Sequence, residues 1–480
     1  MRKQDYLPQL IRSLTSSEKR YFKLYTGLQP GTKNYLKLFD LLESEHKYDS
    51  AQIARKLKIT PKKLADEKEY LQQVLLKALR NFEQDANPQT TIVHRYLEAS
   101  MLNKRGMQEM ALSILDKAFE KAIHYEQHGT FINCYRLRLN LVQNRPDPSP
   151  EYVSPELFRQ QIRQMEELIH YEQLYYQVIP KLISNEKEKV EEVFRRELPL
   201  PGMEDISGAM ARVFANLTQT TVESLYHGPG TNPLHHARQL LDLFKKEPKL
   251  KEMMPQVYVL AYMNIASCLP PDQADKAIEL LDNAVAIIDD KEVQLYHKTA
   301  DRMRFQILVH KLNLLDHLRL HREVVELAEK MLKQDLPVYI QFHLETVRFR
   351  YASALLYTGH PADAQEALRE VLKGNKFDQW DIQVNAMMLE IMIQYDLKNY
   401  MLIPYLVTSI RKWINRNKIT PKGVEHYLKW MLRIGEAAGV RKQQSELKAF
   451  LDDINAGKIE TDEASNIKYW LEDKLKHKQK

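Results

Sequence analysis

The chain has 480 residues, of which 44% are hydrophobic and 28% are charged, and its formal net charge is +6. This composition is typical of a folded globular protein and excludes wholesale disorder. Glycine is scarce, at 14 residues, whereas Leu, Lys, Glu, Gln and Ala are frequent, and these residues favour helix because they lose little rotamer freedom in it. The sequence shows no alternating apolar pattern typical of strands, so it predicts an all-α protein.

Several features of the sequence indicate a cytoplasmic protein. The charged first residues predict neither a signal peptide nor a membrane anchor, and no apolar run approaches the roughly 18 residues of a membrane-spanning helix. Cys134 and Cys268 are far apart in the chain, so they provide neither a disulfide framework nor a cysteine-based zinc module. We expect both cysteines to be small core residues.

The net charge is confined to the N-terminal fifth of the chain. Residues 1–90 contain 17 Lys and Arg against 11 Asp and Glu, whereas the remaining residues contain 53 of each sign. Residues 1–90 therefore form a distinct basic module. Short helices are predicted near residues 3–14, 16–26, 33–45, 50–57 and 61–82. Thr15 and Glu18 have the capping-box spacing, and Thr60-Pro61 pairs an N-cap residue with proline in the first turn.

The last two helices of the basic module have the spacing of a helix-turn-helix, which would bind DNA through residues 51–80. Lysines near the turn and on the second helix suit contacts to phosphates; they are Lys56, Lys58, Lys62, Lys63 and Lys68. The second helix also carries Asp66, Glu67 and Glu69, and its start lacks the Arg, Asn or Gln side chains that read base edges best. Packing of short helices gives the same apolar spacing without DNA, so the module alternatively caps the helices that follow.

From about residue 90 the sequence predicts helical hairpins, because small residues recur at fixed offsets. A glycine is followed by small residues five and twelve positions later. Each such set of residues comes after one amphipathic segment and lies within the next amphipathic segment. The sets are Gly106, Ala111 and Ala118; Gly359, Ala364 and Val371; and, for the last two offsets, Ala277 and Ala284. This pattern is typical of a two-helix repeat, in which a small residue turns the chain and small residues on the second helix permit close packing.

The hairpin pattern divides the rest of the chain into three parts. Residues 91–145 hold the first hairpins, residues 146–250 form an irregular helical segment with proline-rich loops, and residues 251–480 hold the C-terminal hairpins. The loops are predicted near 144–156, 198–208 and 226–233, where proline and glycine cluster.

The C-terminal part shows the most regular pattern. Val325, Ala364 and Ile403 recur every 39 residues at the close-packing position of the second helix. Ser154-Pro155 in the middle segment and Thr420-Pro421 near the end of the array each have the sequence of a helix start. Hairpins are predicted at 302–333, 338–373, 378–416 and 421–454, and a last helix with a basic end is expected beyond Asp462.

The offsets resemble those of the tetratricopeptide repeat. The residues that carry the resemblance are Gly359, Ala364, Leu368 and Val371 in one hairpin, and Gly106, Ala111, Leu115 and Ala118 in another. The spacing of 39 residues exceeds the roughly 34 of that family, and the first-helix aromatic residue and glycine of the family pattern are mostly absent. The N-terminal segment LIRSLTSSEKRYFKLY is also similar to a group of uncharacterised bacterial helical-repeat proteins. The resemblance implies a right-handed α-solenoid of tetratricopeptide-like hairpins with a small N-terminal helical module, but no particular activity.

The sequence offers little support for an enzyme. It contains neither a phosphate-binding glycine loop nor a nucleophile elbow, and no cofactor is expected. His317 and His321 are four residues apart and His310 lies seven before the first. These histidines lack the acidic partner of a zinc-protease motif, and we expect them to be surface or packing residues.

Binding of a partner segment is the function that such repeats most often serve, because the first helices of the hairpins line a concave groove. A mixture of Arg, Asn and Tyr suits an extended or acidic peptide through charge-assisted bonds and stacking. The groove candidates are Tyr96, Ser100, Asn103, Lys104, Arg136, Arg138, Phe349, Arg350, Ser353 and Tyr357. The expected function is a noncatalytic adaptor or scaffold, in which Arg350→Ala would weaken partner binding without loss of stability. The alternative is a transcriptional regulator that binds DNA through residues 51–80 and senses a protein or small ligand through the repeats, and the sequence leaves the oligomeric state open.

Overall fold

The computed structural model describes residues 6–27, 34–44, 49–143, 154–183, 205–225, 232–290, 295–334, 343–373, 380–421, 423–437, 439–457 and 464–476. Within these ranges all regular secondary structure is helical, which confirms the all-α prediction. The chain divides into two compact units, Met1–Tyr258 and Val259–Lys480. Most of the predicted proline-rich loops lie outside the described residues.

The N-terminal module begins the first unit and has the five predicted helices. They are α1 (Leu7–Ser13), α2 (Ser16–Gly27), α3 (Asn34–Ser44), α4 (Ser50–Leu57) and α5 (Pro61–Phe82). The capping box is formed, since the Thr15 backbone N–H donates to Glu18 Oε2 at 2.6 Å and the Glu18 N–H donates to Thr15 Oγ1 at 3.2 Å. The Thr60 hydroxyl caps α5 by accepting from the Lys63 N–H. These bonds satisfy amide groups that a helix start leaves without partners.

Among the described residues, seven further helices lie wholly within the first unit. They are α6 (Pro88–Lys104), α7 (Gln108–His124), α8 (His128–Gln143), α9 (Pro155–Ile183), α10 (Ala209–Leu225), α11 (Pro233–Lys246) and α12 (Lys249–Met253). Helices α6 to α8 pack consecutively around a core that includes Ala111, Ala118 and Phe131. Cys134 belongs to this core, and burial raises the pKa of its thiol. Ser154 caps α9 as predicted.

Two carboxylates hold the start of α10. Glu126, which lies between α7 and α8, accepts from the N–H groups of Ala209 and Met210, both at 3.0 Å, and from Lys249 Nζ at 3.3 Å. Glu167 on α9 accepts from the backbone N–H of Ser207, which lies just before the start of α10, at 2.9 Å. A negative charge at a helix start is favourable because the free N–H groups there carry partial positive charge. The predicted irregular segment is thereby tied to the first hairpins.

The second unit is a succession of helices, the first of which straddles the boundary between the units. They are α13 (Pro255–Cys268), α14 (Ala274–Asp289), α15 (His297–His317), α16 (His321–Leu332), α17 (Leu344–Tyr357), α18 (Pro361–Lys373), α19 (Trp380–Asp396), α20 (Ile403–Asn417), α21 (Val424–Glu436), α22 (Val440–Asn455) and α23 (Ala464–Lys476). From α15 onward each helix packs against the next, and α17 also packs against α15 and α19. Residues on almost every side of α17 and α19 are buried, so these two helices lie in the interior of the unit.

Seven turns between helices, among the residues that the structure describes, share one backbone conformation. In each, a residue with positive φ follows the first helix, and the next N–H donates to the carbonyl five residues before it at 2.8–3.3 Å, as in a Schellman motif. The positive-φ residues are Lys58, Gly106, Glu126, Arg319, Gly359, Lys398 and Lys418. Only two of them are glycine, the residue that adopts positive φ without steric cost.

The offsets of small and apolar residues are preserved after four of these turns. The residues at +5 and +12 are buried in each case, and they are Ala111 and Ala118, Val324 and Met331, Ala364 and Val371, and Ile403 and Ile410. Val324 therefore occupies the close-packing position that the sequence pattern assigns to Val325, which is only partly buried. The predicted helix start at Thr420-Pro421 is also wrong, because α21 begins at Val424 and Gly423 adopts a φ of 70° before it.

Candidate docking face on the C-terminal unit

The last helix, α23, is amphipathic and buries one face within the second unit. Ile467, Trp470 and Leu471 are buried, and their spacing of three and four residues places them on one side of the helix. Helix α23 packs against α22, and its side chains also contact α17, α19 and the turn between α15 and α16. The helix therefore lies across the C-terminal ends of the interior helices.

Aromatic and cationic contacts surround Tyr469 on α23. Its ring centroid is 5.5 Å from that of His321 and 5.5 Å from that of Tyr357, and the Arg319 guanidinium lies 4.7 Å from it. His321 also stacks on Tyr357 at 4.7 Å with an interplanar angle of 25°. Aromatic pairs and cation–π contacts of this geometry add to the energy of area burial.

Ile467 closes a narrow cavity between α17 and α19. The cavity measures about 20 Å³ and is lined by Ile467, Phe349, Ser353, Tyr357, Asn385, Met388, Leu389 and Met392. This volume holds about one water molecule, so the interface is closely packed without being filled. Methionine side chains are flexible and polarisable, and they adapt to ligands of differing shape.

A charged contact lies at the other end of the interface. Lys474 Nζ is 2.7 Å from Asp396 Oδ2, and Asp396 is the last residue of α19. Burial raises the pKa of Asp396, and the Lys474 ammonium opposes that rise. The partial negative charge at the C-terminus of a helix also attracts the ammonium group. Beside this ion pair, the Trp470 and Tyr395 rings meet edge to face at 5.2 Å.

A buried ion pair holds the interior helices beneath these contacts. Asp316 on α15 is fully buried, and its Oδ2 accepts from Arg350 Nη1 at 2.8 Å, while Arg350 Nε donates to Asn313 Oδ1 at 3.1 Å. The other Asp316 oxygen is 3.7 Å from His321 Nδ1. Arg350 thus links α17 to α15 directly below the His321 and Tyr357 rings. We define the docking face as the residues that contact α23 or line the cavity together with Ile467: Arg319, His321, Phe349, Ser353, Tyr357, Met388, Met392, Tyr395 and Asp396.

The structure places the groove candidates of the second unit at or below the docking face. Phe349 and Ser353 are buried in the cavity wall, and Tyr357 is half-buried beside Tyr469. Arg350 pairs with the buried Asp316, so we expect Arg350→Ala to lower stability, in contrast to the sequence-based expectation. This variant alone cannot separate binding from folding.

The candidates of the first unit lie on α6 and α8. Tyr96 is half-buried against the core of these helices. Asn103 is half-buried near the end of α6, whereas Lys104 and Arg136 are exposed. Ser100 is half-buried. Arg138 lies 3.1 Å from Asp116 and its guanidinium is 4.6 Å from the centre of the Phe119 ring. Arg138 is therefore engaged within its own hairpin.

The nucleic-acid candidates surround the turn between α4 and α5. Lys58 has a φ of 53° and closes α4, and the side chains of Lys62 and Lys63 are exposed in the first turn of α5. Lys56 is exposed and Lys68 is half-buried. The exposed carboxylates of Asp66 and Glu69 share α5 with these lysines, so the surface carries both signs of charge.

Metal-binding and membrane-spanning features are not found among the described residues. No group of three His, Cys, Asp or Glu side chains is arranged there to hold a metal ion, and none of the described helices is long and apolar enough to cross a membrane. His317 is exposed and His321 is buried, because the turn at Arg319 places them on different helices.

Sequence reasoning missed the residues that build most of the docking face. Asp316 and Arg319 belong to LDHLRLH, a segment typical of a turn between two helices, but nothing in it marks the aspartate as buried or the arginine as the residue with positive φ. The spacing of Ile467, Trp470 and Leu471 was a usable signal, since it defines an apolar helix face. What that face contacts depends on tertiary packing. No protein-family model matches the chain, and no curated protein is significantly similar to it in sequence.

Proposed function

We propose that this protein is a noncatalytic, cytoplasmic interaction scaffold or adaptor, built as a right-handed, tetratricopeptide-like α-solenoid, that holds a segment of a partner protein on the docking face. The repeated Schellman turns and the buried residues at +5 and +12 support the repeat architecture. Consecutive packing of the helices from α15 onward supports it as well, since each unit of a solenoid contacts mainly its neighbours.

The observation that carries the proposal is that the docking face already holds a helix. Aromatic rings, an arginine and adaptable methionines meet there, and these residue types carry most of the energy in protein interfaces. At the C-terminal end of α19, the carboxylate of Asp396 binds the ammonium group of Lys474. A surface with these properties recognises a polypeptide rather than a small polar substrate.

One observation favours the alternative, a transcriptional regulator. Helices α4 and α5 have the predicted helix-turn-helix lengths, and Lys58, Lys62 and Lys63 are exposed around their turn. The acidic residues on α5 weaken the attraction to phosphates. The same two helices fit the role of a cap for the helical array at least as well as the role of a DNA-binding module. Ile53 and Leu71, on the inner faces of α4 and α5, belong to the core of the module itself.

Site-specific photo-crosslinking tests the scaffold function. The photoreactive amino acid p-benzoylphenylalanine replaces Tyr357 at the docking face or, as a matched control, Tyr405, which is exposed on α20. Both changes substitute one aromatic residue for another. We expect a specific crosslink from position 357 to another protein in cells of the source organism, identified by mass spectrometry, and none to that protein from position 405.

Two outcomes would count against the scaffold function. If position 357 crosslinks only within the chain, to α23, the docking face has no partner under those conditions. If both positions crosslink to the same proteins at similar yield, the contacts are not specific to the docking face.

A further inference from the structure

We infer that the docking face recognises an amphipathic helix of a partner protein, and that α23 is a resident occupant which the partner helix displaces. The inference rests on the proposed function and specifies the chemistry of its ligand. It also assigns a regulatory role to α23, because the face is closed to the partner while α23 is bound.

The pattern of the ligand follows from what each residue of α23 contacts. Ile467 lines the cavity between α17 and α19, and Trp470, three residues later, packs on Tyr395. Tyr469 meets the Arg319, His321 and Tyr357 side chains, and Leu471 is buried beside Trp470. Lys474 reaches Asp396. The partner helix therefore presents an aliphatic residue, two aromatic residues at +2 and +3, a leucine at +4 and a basic residue at +7.

The contacts between α23 and the docking face are not optimal, so a ligand with better contacts binds more tightly than α23. Neither ring nitrogen of the buried His321 has a hydrogen-bond partner among the described residues, and its closest carboxylate oxygen is 3.7 Å away. The cavity beside Ile467 is not filled. A buried polar atom without a partner is costly, so a helix that places a hydrogen-bonding side chain beside His321, or a larger residue in the cavity, gains affinity over α23.

Because α23 is covalently attached to the rest of the chain, a moderate affinity is enough for it to keep the docking face closed. Only residues 456–463 separate α22 from α23. A short connection of this kind gives a tethered segment an effective concentration in the millimolar range. A free helix of equal intrinsic affinity is thus at a disadvantage until α23 is weakened or the ligand fits better.

A fluorescence-anisotropy experiment with the full-length chain tests this competition. The probe is a fluorescein-labelled peptide with the sequence of residues 464–476, ASNIKYWLEDKLK. The titrants are the unmodified chain and a variant with Trp470→Ala and Leu471→Ala, which weakens the resident helix. We expect the variant to bind the probe at least tenfold more tightly than the unmodified chain, and we expect adding Asp396→Asn to the variant to weaken that binding.

Controls separate competition from misfolding and from exchange between copies. A probe that carries the same two alanines should not bind. Lys474→Glu, which retains the apolar face, should give an intermediate gain in probe affinity, and circular dichroism must show a folded variant. Equal probe affinity for the unmodified chain and both folded variants would overturn the inference. Dimers that appear by light scattering in the unmodified chain would also overturn it, because a second copy would then be the occupant.

The failures of the two proposals are distinguishable. If position 357 crosslinks to a partner protein but the probe does not bind the weakened variant, the scaffold function stands and the helical ligand is wrong. If the probe binds as expected and no crosslinked partner is found, the face binds helices but serves only α23.

Discussion

Two parts of the molecule share the same turn between helices and the same buried positions after it, but their surfaces differ. In the first unit, α6 keeps Leu97 and Met101 exposed on its outer side. In the second unit, α17 and α19 are buried on almost every side, and α23 lies across their ends. The turn and the offsets at +5 and +12 are common to both parts. The turn and the buried positions after it therefore set how two neighbouring helices pack, whereas the additional helix α23 covers a surface that is exposed in the first unit.

The largest difference in stability effect between the two parts of the molecule is expected from matched leucine substitutions. Leu471 on α23 is fully buried, whereas Leu97 on α6 is 48% exposed. Leu471→Ala should lower the free energy for opening its helix by about 2–5 kcal/mol because it leaves a cavity. Leu97→Ala should change the stability of α6 by less than about 0.5 kcal/mol. Native-state hydrogen exchange measures both values, and similar effects at the two positions would mean that α23 is not docked in solution.

The next largest difference in stability effect is expected when the arginine of each of two arginine–aspartate pairs is replaced. The arginines are similarly exposed, at 16% for Arg350 and 14% for Arg138, but Asp316 is 0% exposed and Asp116 is 30% exposed. Arg350→Ala should cost about 3–5 kcal/mol of unfolding free energy, because it leaves a buried charge without its partner. Arg138→Ala should cost about 1 kcal/mol or less from the lost pair.

Chemical denaturation of both arginine variants checks this difference, and a second change tests its cause. If the cost of Arg350→Ala comes from the charge on Asp316, adding Asp316→Asn should recover part of the lost stability. No recovery, or equal costs for the two arginines, would contradict the role of burial.

A smaller, pH-dependent effect is expected at the end of α23. Lys474→Met removes the ammonium that opposes the raised pKa of Asp396, so the folded-state pKa of that carboxyl rises further above its unfolded value. The folded variant then holds the Asp396 proton more tightly than the unfolded chain does. The stability of the variant relative to the unmodified chain should therefore increase as the pH falls from 7 through this raised pKa, by on the order of 1 kcal/mol.

Denaturation at a series of pH values measures this dependence. Lys442→Met, on the exposed side of α22, is the matched control and should show no such trend. A Lys474→Met variant whose relative stability falls, or stays constant, as the pH is lowered would show that Asp396 is not the titrating group.

The smallest effect on stability is expected in the N-terminal module. Lys62→Glu combined with Lys63→Glu changes two exposed side chains, so the free energy of unfolding should change by less than about 0.5 kcal/mol. Filter binding at low salt should show no retention of duplex DNA by the unmodified chain. Retention that disappears with these two substitutions would instead favour the transcriptional regulator.

The sequence predicted the local structure well. The five N-terminal helices, the capping box at Thr15 and Glu18, and the turns at Gly106 and Gly359 were all predictable, because each depends on residues within one or two helical turns. Arg319 and Lys398 were missed as turn residues because they adopt positive φ without being glycine. The resulting shift of one residue explains why Val325 was assigned in place of Val324.

The docking face depends on contacts that sequence spacing does not encode. The rings of Tyr469 and His321 meet across 148 positions of the chain, and the buried Asp316 pairs with Arg350 from another helix, α17. Phe349, Ser353 and Tyr357 were selected from their place on a first helix, and the structure places them around the cavity with Ile467, while partner binding by them stays a prediction. Their neighbours from α19 and α23 could be known only after the helices were packed.

The contact of Glu126 with the start of α10 has a consequence for the order in which the chain folds. The bonds from Ala209 and Met210 join residues 83 and 84 positions apart, and the bond from Lys249 spans 123 positions. Synthesis from the N-terminus completes the hairpin that carries Glu126 well before α10 leaves the ribosome. The carboxylate is thus in place as a preformed cap, and the slow search for a long-range contact becomes the docking of a new helix onto a finished surface.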